Sequence, residues 1–302
     1  MRVPRVLCPE SEMKIILISG LFFHLQIRYL SPADPYAVTQ EVDLTPLEAA
    51  LLGLIQGLTE FLPVSSSGHL ALAQALLGIQ TGDVTFEIIV HFGTLLAVVT
   101  ALRQRIAVLI KGCLARDPVA WRMVLFLFLG TLPAAIVGIG LKDILEEAFA
   151  NPAAVSGFLI VTGVILYSTR FASGDRKEIT MADAIVIGCA QAMAVFPGIS
   201  RSGSTIGIGV WRGLDPREAA TFSFLLSIPI ILGATLLAVD DLIAHPPGEE
   251  AMWTLIIGAV MAYASGVFAI RWLMRLLAGG NLARFAYYCW AIGLAGVAYF
   301  WG

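Results

Sequence analysis

Six stretches of this chain are long and nearly uncharged: 86–102, 121–141, 153–169, 219–239, 253–273 and 285–301 each carry at most one Asp, Glu, Lys or Arg. A helix needs about 20 predominantly apolar residues to cross a bilayer core. Inside hydrocarbon every backbone N–H and C=O must find its partner within the protein. The pattern therefore predicts an all-α polytopic membrane protein with six transmembrane helices. Composition agrees: the chain is 58% hydrophobic and 14% charged, with a mean hydropathy of +0.84, against roughly a quarter charged in soluble domains. No basic patch with interleaved aromatics is present, so no nucleic-acid partner is expected. Cys8, Cys113, Cys189 and Cys289 lack metal-type spacing and read as small packing residues.

Charge in the connections orients the spans. Arg103, Arg105, Lys111, Arg116 and Arg122 cluster between the first two; Arg170, Arg176 and Lys177 follow the third; Arg212 and Arg217 precede the fourth; Arg271, Arg275 and Arg284 lie between the last two. Basic loops stay cytoplasmic. The opposite loops carry Asp143, Glu146, Glu147, Asp240, Asp241, Glu249 and Glu250, and every span then alternates consistently. Residues 1–43 stand apart as an N-terminal extension, with basic residues, a short apolar run from Ile15 to Leu25, and a Pro-containing polar stretch, like a signal peptide or weak anchor. Residues 44–302 read as one membrane domain.

Two segments remain, 44–85 and 179–212. The second begins and ends on the basic side, and its apolar arms on either side of Pro197 and Arg201 are too short to span. A re-entrant helical hairpin fits, since broken backbone is tolerated at membrane depth where protein or a wet cavity shields it. The two segments are also related. QGLTEFLPVSSSGH (56–69) aligns with QAMAVFPGISRSGS (191–204) at a constant offset of 135, pairing Gln56 with Gln191, Phe61 with Phe196, Ser65 with Ser200, Ser67 with Ser202 and Gly68 with Gly203. Each motif precedes three spans, so 44–170 and 179–302 form an inverted-topology repeat, whose broken helices typically meet at a midplane binding site. The first hairpin would enter from outside, the second from the cytoplasm.

The hairpin tips carry the chemistry. Gln56 and Glu60, four apart, share a helix face; Pro63 and the serines then break the helix. Together the tips offer Glu60, His69, Arg201, the hydroxyls of Ser65, Ser66, Ser67, Ser200, Ser202, Ser204 and Thr205, and glycines at Gly68 and Gly203. Helix N-termini with small residues bind phosphate, and an arginine fork matches its oxygens. A carboxylate in such a site calls for a hard divalent cation, Mg²⁺ or Ca²⁺, held by Glu60 with Gln56 as a neutral oxygen donor. His69 reads as nucleophile or acid/base. Ionisable residues at membrane depth default to function, and this set suggests phosphoryl transfer from a diphosphate whose tail lies in lipid. Glu87 and His91 read as packing or supporting groups, His245 as solvated, and Gly53 and Gly57 as a helix-packing pair.

EFLPVSSSGHL with PGISRSGST resembles the undecaprenyl-diphosphate phosphatase family, also called the bacitracin-resistance family, over about residues 44 to 302. The resemblance implies cleavage of undecaprenyl diphosphate to undecaprenyl phosphate and inorganic phosphate, recycling the lipid carrier of peptidoglycan synthesis. It also implies a divalent cation, a homodimer in the cell inner membrane, and a site facing the extracytoplasmic, periplasmic side. The family's acidic motif falls on Gln56 and Glu60, its important hydroxyl on Ser66, its histidine on His69 and its phosphate-binding arginine on Arg201. Here Gln56 stands where a second carboxylate can occur. His69, Ser66 or water remains open as the nucleophile. Two rivals share features: an acid-phosphatase-like lipid phosphatase, which needs a second histidine soon after Ser-Arg, and a transporter, whose architecture uses the same inverted repeat.

Overall fold

The computed structural model describes residues 44–79, 85–244, 247–279 and 282–301. The expected N-terminal extension, 1–43, and His245 lie outside these residues.

Helices form where the apolar runs were found. The six expected spans correspond to α3 (Thr85–Ala101), α5 (Pro118–Gly140), α7 (Pro152–Ser168), α10 (Pro216–Ala244), α11 (Glu249–Leu276) and α12 (Arg284–Trp301). Their starts carry recognisable signals: Asp117 caps α5 and Asn151 caps α7, each followed by proline in the first turn, where the missing N–H has no partner to lose. Among the described residues, Pro118–Gly138, Pro152–Phe171 and Glu249–Gly279 are long and apolar enough to cross a membrane as single helices. Two helices were not anticipated. The basic stretch after the first span is α4 (Arg103–Leu114), bent 77° from α3 at Leu102, with Arg105 paired to Glu218 at 2.8 Å. A short α6 (Lys142–Phe149) follows α5.

The leftover segments form broken helix pairs. In the first, α1 (Pro46–Phe61) stops at Leu62 and α2 (Ser66–Leu77) begins after a turn in which Ser65 adopts φ 71°, an uncommon conformation for a side-chain-bearing residue. In the second, α8 (Met181–Met193) and α9 (Arg201–Trp211) flank Val195–Ser200, with Gly198 at φ 97°. A Cβ at 198 would lie 2.3 Å from the Val155 carbonyl oxygen, so only glycine fits there.

The 135-residue offset extends from sequence into hydrogen bonding. Thr45 and Glu48 form a capping box at α1; Thr180 and Asp183 form one at α8. Ser65 Oγ accepts from Gly68 N–H and lies 3.3 Å from Ser67 Oγ; Ser200 Oγ accepts from Gly203 N–H and lies 3.2 Å from Ser202 Oγ. Packing partners exchange in the same sense. α1 lies against α11 and α8 against α5, while α7 packs on α12 and α3 on α10. Close approach uses glycine in both pairs: a Cβ on Gly53 would meet the Gly258 carbonyl at 2.3 Å, and one on Gly188 the Gly130 carbonyl at 2.6 Å. Gly57 against Ala262 and Ser265 completes the expected small-residue seam.

The main core gathers Phe61, Leu62 and Val64 from the first break with Phe222, Phe224 and Leu226 of α10. The outer surface stays apolar, with Ile136, Val164, Leu236, Phe268 and Trp301 all exposed. Cys289 is buried, as expected of a packing residue, but Cys189 is exposed and Cys113 half-buried.

Candidate active site

The breaks of the two helix pairs meet inside the bundle. Gly68 of α2 lies against Gly198, where an added Cβ would come within 3.1 Å of the Gly198 Cα. Ser202 Oγ donates to the Leu62 carbonyl at 3.0 Å, satisfying a group exposed by the end of α1. Thr162 of α7 braces the second tip: its hydroxyl donates to the Gly198 carbonyl at 2.8 Å and accepts from Ser200 N–H at 2.9 Å. Sequence reasoning missed this brace.

Between the tips lies a cavity of about 100 Å³ lined by Glu60, Ser65, Ser66, Ser67, Ser200 and Arg201, with His91 also on its wall. Glu60, on the last turn of α1, is its centre. One carboxylate oxygen accepts from Arg201 Nη2 at 2.6 Å, a contact between residues 141 positions apart. The other accepts from Ser66 Oγ at 2.6 Å and Gln56 Nε2 at 3.1 Å. Arg201 also reaches the Ser223 carbonyl with Nη1 at 3.3 Å. The Glu60 and Arg201 side chains are 8% and 16% exposed, so each is nearly desolvated and depends on its partner.

The serines fall into two groups. Ser65 and Ser200 cap α2 and α9, holding the first-turn N–H groups and positive dipole ends at the cavity. Ser66 alone bonds the carboxylate. Thr205 Oγ1 lies 2.6 Å from Ser223 Oγ and is not part of the cavity lining, while Ser204 Oγ is buried with no hydrogen-bond partner among the described residues.

The two histidines exchange their expected places. His69 points away from the cavity: Nδ1 contacts the Ser65 carbonyl at 2.8 Å, Nε2 contacts Tyr288 Oη of α12 at 2.9 Å, and the rings stack. Since a carbonyl only accepts, Nδ1 carries the proton and Nε2 accepts from the phenol. His91 of α3, read from sequence as a packing or supporting group, stands 3.8 Å from Glu60 with its Nε2. Its signal was present: an ionisable residue inside an apolar span.

As for a cation, Glu60 and His91 are the side chains on the cavity wall of a type that can ligate one, and among the described residues no three His, Cys, Asp or Glu cluster. The remaining donors would be neutral oxygens. Gln56 supplies one: it is 0% exposed, and its Oε1 has no partner among the described residues. One carboxylate plus neutral oxygens, completed by substrate phosphate, is a donor set that fits a divalent ion.

Residues 49–295 match the family described as bacitracin resistance protein BacA. The chain is 41% identical over 268 residues to a protein named undecaprenyl-diphosphatase from Salinibacter ruber, covering 84% of this chain and 99% of that one. It is 40% identical over 268 residues to the undecaprenyl-diphosphatase of Desulfatibacillum aliphaticivorans, covering 82% and 96%. A third, from Halothermothrix orenii, is 42% identical over 246 residues, covering 80% and 93%.

Proposed function

The chain belongs to the bacitracin resistance protein BacA family, and from that premise we propose that it hydrolyses undecaprenyl diphosphate to undecaprenyl phosphate and inorganic phosphate. In this reading it recycles the lipid carrier of peptidoglycan synthesis and confers bacitracin resistance. The observation that carries the reading is the Ser66–Glu60–Arg201 cluster. A hydroxyl, a carboxylate and a guanidinium from two distant helix breaks converge on one cavity, the grouping that attack on a phosphate requires.

Each residue then has a task. Arg201, helped by the N-termini of α2 and α9, grips the diphosphate. When phosphate takes the guanidinium, the Glu60 oxygen that held it is released. The second Glu60 oxygen already holds the Ser66 hydroxyl. Ser66 Oγ attacks the terminal phosphorus, Glu60 takes its proton, and the anhydride P–O bond breaks to release undecaprenyl phosphate. Water then cleaves the phosphoserine and frees inorganic phosphate. His69, bonded to the Ser65 carbonyl, braces the turn that presents Ser66. A divalent cation held by Glu60 and Gln56 would neutralise charge on the phosphates.

The site would sit in a multi-pass inner-membrane protein with six spans and two re-entrant hairpins, related as an inverted repeat. The matched caps, matched serine pairs and exchanged helix partners support that topology. The cavity would open to the periplasmic side, and the protein would work as a homodimer in the bilayer. The test is phosphate release from a long-chain prenyl diphosphate by detergent-purified protein, with Mg²⁺ and with EDTA. Metal-dependent release is expected; none from folded protein would end the reading.

A further inference from the structure

The polar groups described above make up only part of the cavity wall. The rest is apolar and comes from elsewhere in the chain: Leu145 and Phe149 of α6, Ile230 and Ile231 of α10, and Ile199 of the second break. Resting on the hydrolysis read above, we propose that this apolar part seats the first isoprene unit of the substrate. Leu145 and Phe149 there select a diphosphate that bears a prenyl chain over one that bears none.

The local sequence builds the seat. α6 reads KDILEEAF, and Leu145 and Phe149, four apart, fall on one face of it. That face is turned to the cavity. Leu145 is 3% exposed and Phe149 half-buried, whereas Ile144 and Glu147 of the same helix are exposed. Ile231 and Ile199 are buried too. Apolar side chains gain from burial by exchanging water for apolar neighbours. Here they front a cavity that also holds the Glu60 carboxylate and the Arg201 guanidinium. A largely apolar wall with a few placed polar groups is the make-up of a ligand site, and this one fits an occupant that is polar at one end and apolar at the other.

A prenyl diphosphate has that division, and it is apolar from its first carbon onward. Arg201 and Ser66 hold the diphosphate end, so the carbons joined to it leave across the opposite part of the wall. A cavity of about 100 Å³ cannot enclose a long chain. Only the carbons next to the diphosphate meet Leu145 and Phe149, and the remainder runs out into lipid. The seat therefore reads the presence of a chain and not its length.

Two hydrolysis-resistant probes test this: farnesyl methylenediphosphonate, and methylenediphosphonate without a chain. Each is titrated calorimetrically into the full-length protein with Mg²⁺ at one detergent concentration. Wild type should bind the farnesyl probe more tightly. Leu145→Ala and Phe149→Ala should each cut the ratio of the two affinities at least about tenfold, the low end of what a lost methylene costs in an apolar pocket. The same factor should appear with a dimethylallyl probe, which carries the first unit alone. Glu147→Ala, on the exposed side of α6, should keep the wild-type ratio. Thermal unfolding checks that each variant is folded, and a role confined to holding the fold would weaken both probes alike. Folded wild type that binds neither probe, or both equally, overturns the seat, as does a wild-type ratio in both alanine variants. Phosphate release from farnesyl diphosphate on the same samples separates the two readings. Chain preference lost in the variants, with no release by wild type, keeps the seat and sinks the phosphatase; release by wild type with the preference intact in the variants sinks the seat alone.

Discussion

Arg201→Lys isolates what the guanidinium does beyond its charge. Arg201 spans two groups with separate nitrogens, Glu60 at 2.6 Å and the Ser223 carbonyl at 3.3 Å. A lysine keeps the positive charge beside Glu60, so the desolvated carboxylate stays paired. Only the longer, weaker bond to Ser223 is lost, worth about 0.5–1.5 kcal/mol. Phosphate recognition suffers more, because an ammonium cannot offer two parallel donors to two oxygens. Losing one charge-assisted bond of about 1.5–3 kcal/mol corresponds to roughly a 10- to 150-fold fall in kcat/KM at 1.36 kcal/mol per decade. Arg201→Met removes the charge as well, and stranding Glu60 should destabilise the fold by about 3–5 kcal/mol. The assay pairs phosphate release from a long-chain prenyl diphosphate in detergent with thermal unfolding. Lysine should cut turnover with a small shift in unfolding temperature, and methionine should damage both. Wild-type kcat/KM in Arg201→Lys would refute the fork as the phosphate grip.

Three further outcomes follow from other parts of the molecule. Ser66→Ala removes the attacking hydroxyl and should lower kcat by at least about a thousandfold, within the range seen when catalytic nucleophiles are removed; a loss under tenfold would move the attack to water. Gly57→Ala drives a methyl to within 2.0 Å of Ser265 Oγ and 2.2 Å of the Ala262 carbonyl, so it should cost about 1–3 kcal/mol in thermal unfolding, and an unchanged transition would contradict the tight α1–α11 seam. Thr162→Val bares the Gly198 carbonyl and Ser200 N–H at about 1–3 kcal/mol each, and should lower activity by loosening the second tip; a variant with wild-type melting and turnover would dismiss the brace.

Much of this arrangement was legible in the sequence because it is written in local chemistry. The apolar runs give α3, α5, α7, α10, α11 and α12, Pro63 and Pro197-Gly198 give the breaks, and Gln56 bonds Glu60 as their four-residue spacing implies. The pairing of Glu60 with Arg201 was anticipated as proximity, since both lie at the breaks of two segments related by sequence. What stayed hidden depends on side-chain direction and on contacts between elements. Nothing local tells that His69 turns toward Tyr288 while His91, on another helix, faces Glu60. Thr162 looks like one more residue of an apolar span until the second tip is packed against it. Arg176 and Arg212 were read as topology signals, yet both also clamp Asp183, at 2.7 and 3.0 Å, fixing the start of α8. The basic connection at 103–114 hid a helix because its charges dominated the reading.

The central claim is that Glu60 and Arg201, 141 residues apart on two separate helix breaks, build one phosphate-cleaving site. Phosphate release from a long-chain prenyl diphosphate by wild type, Glu60→Ala and Arg201→Ala, each shown to be folded, tests it most directly. The account predicts metal-dependent release by wild type and none above background from either variant. Wild-type release from a folded Glu60→Ala or Arg201→Ala would contradict it and place the chemistry elsewhere.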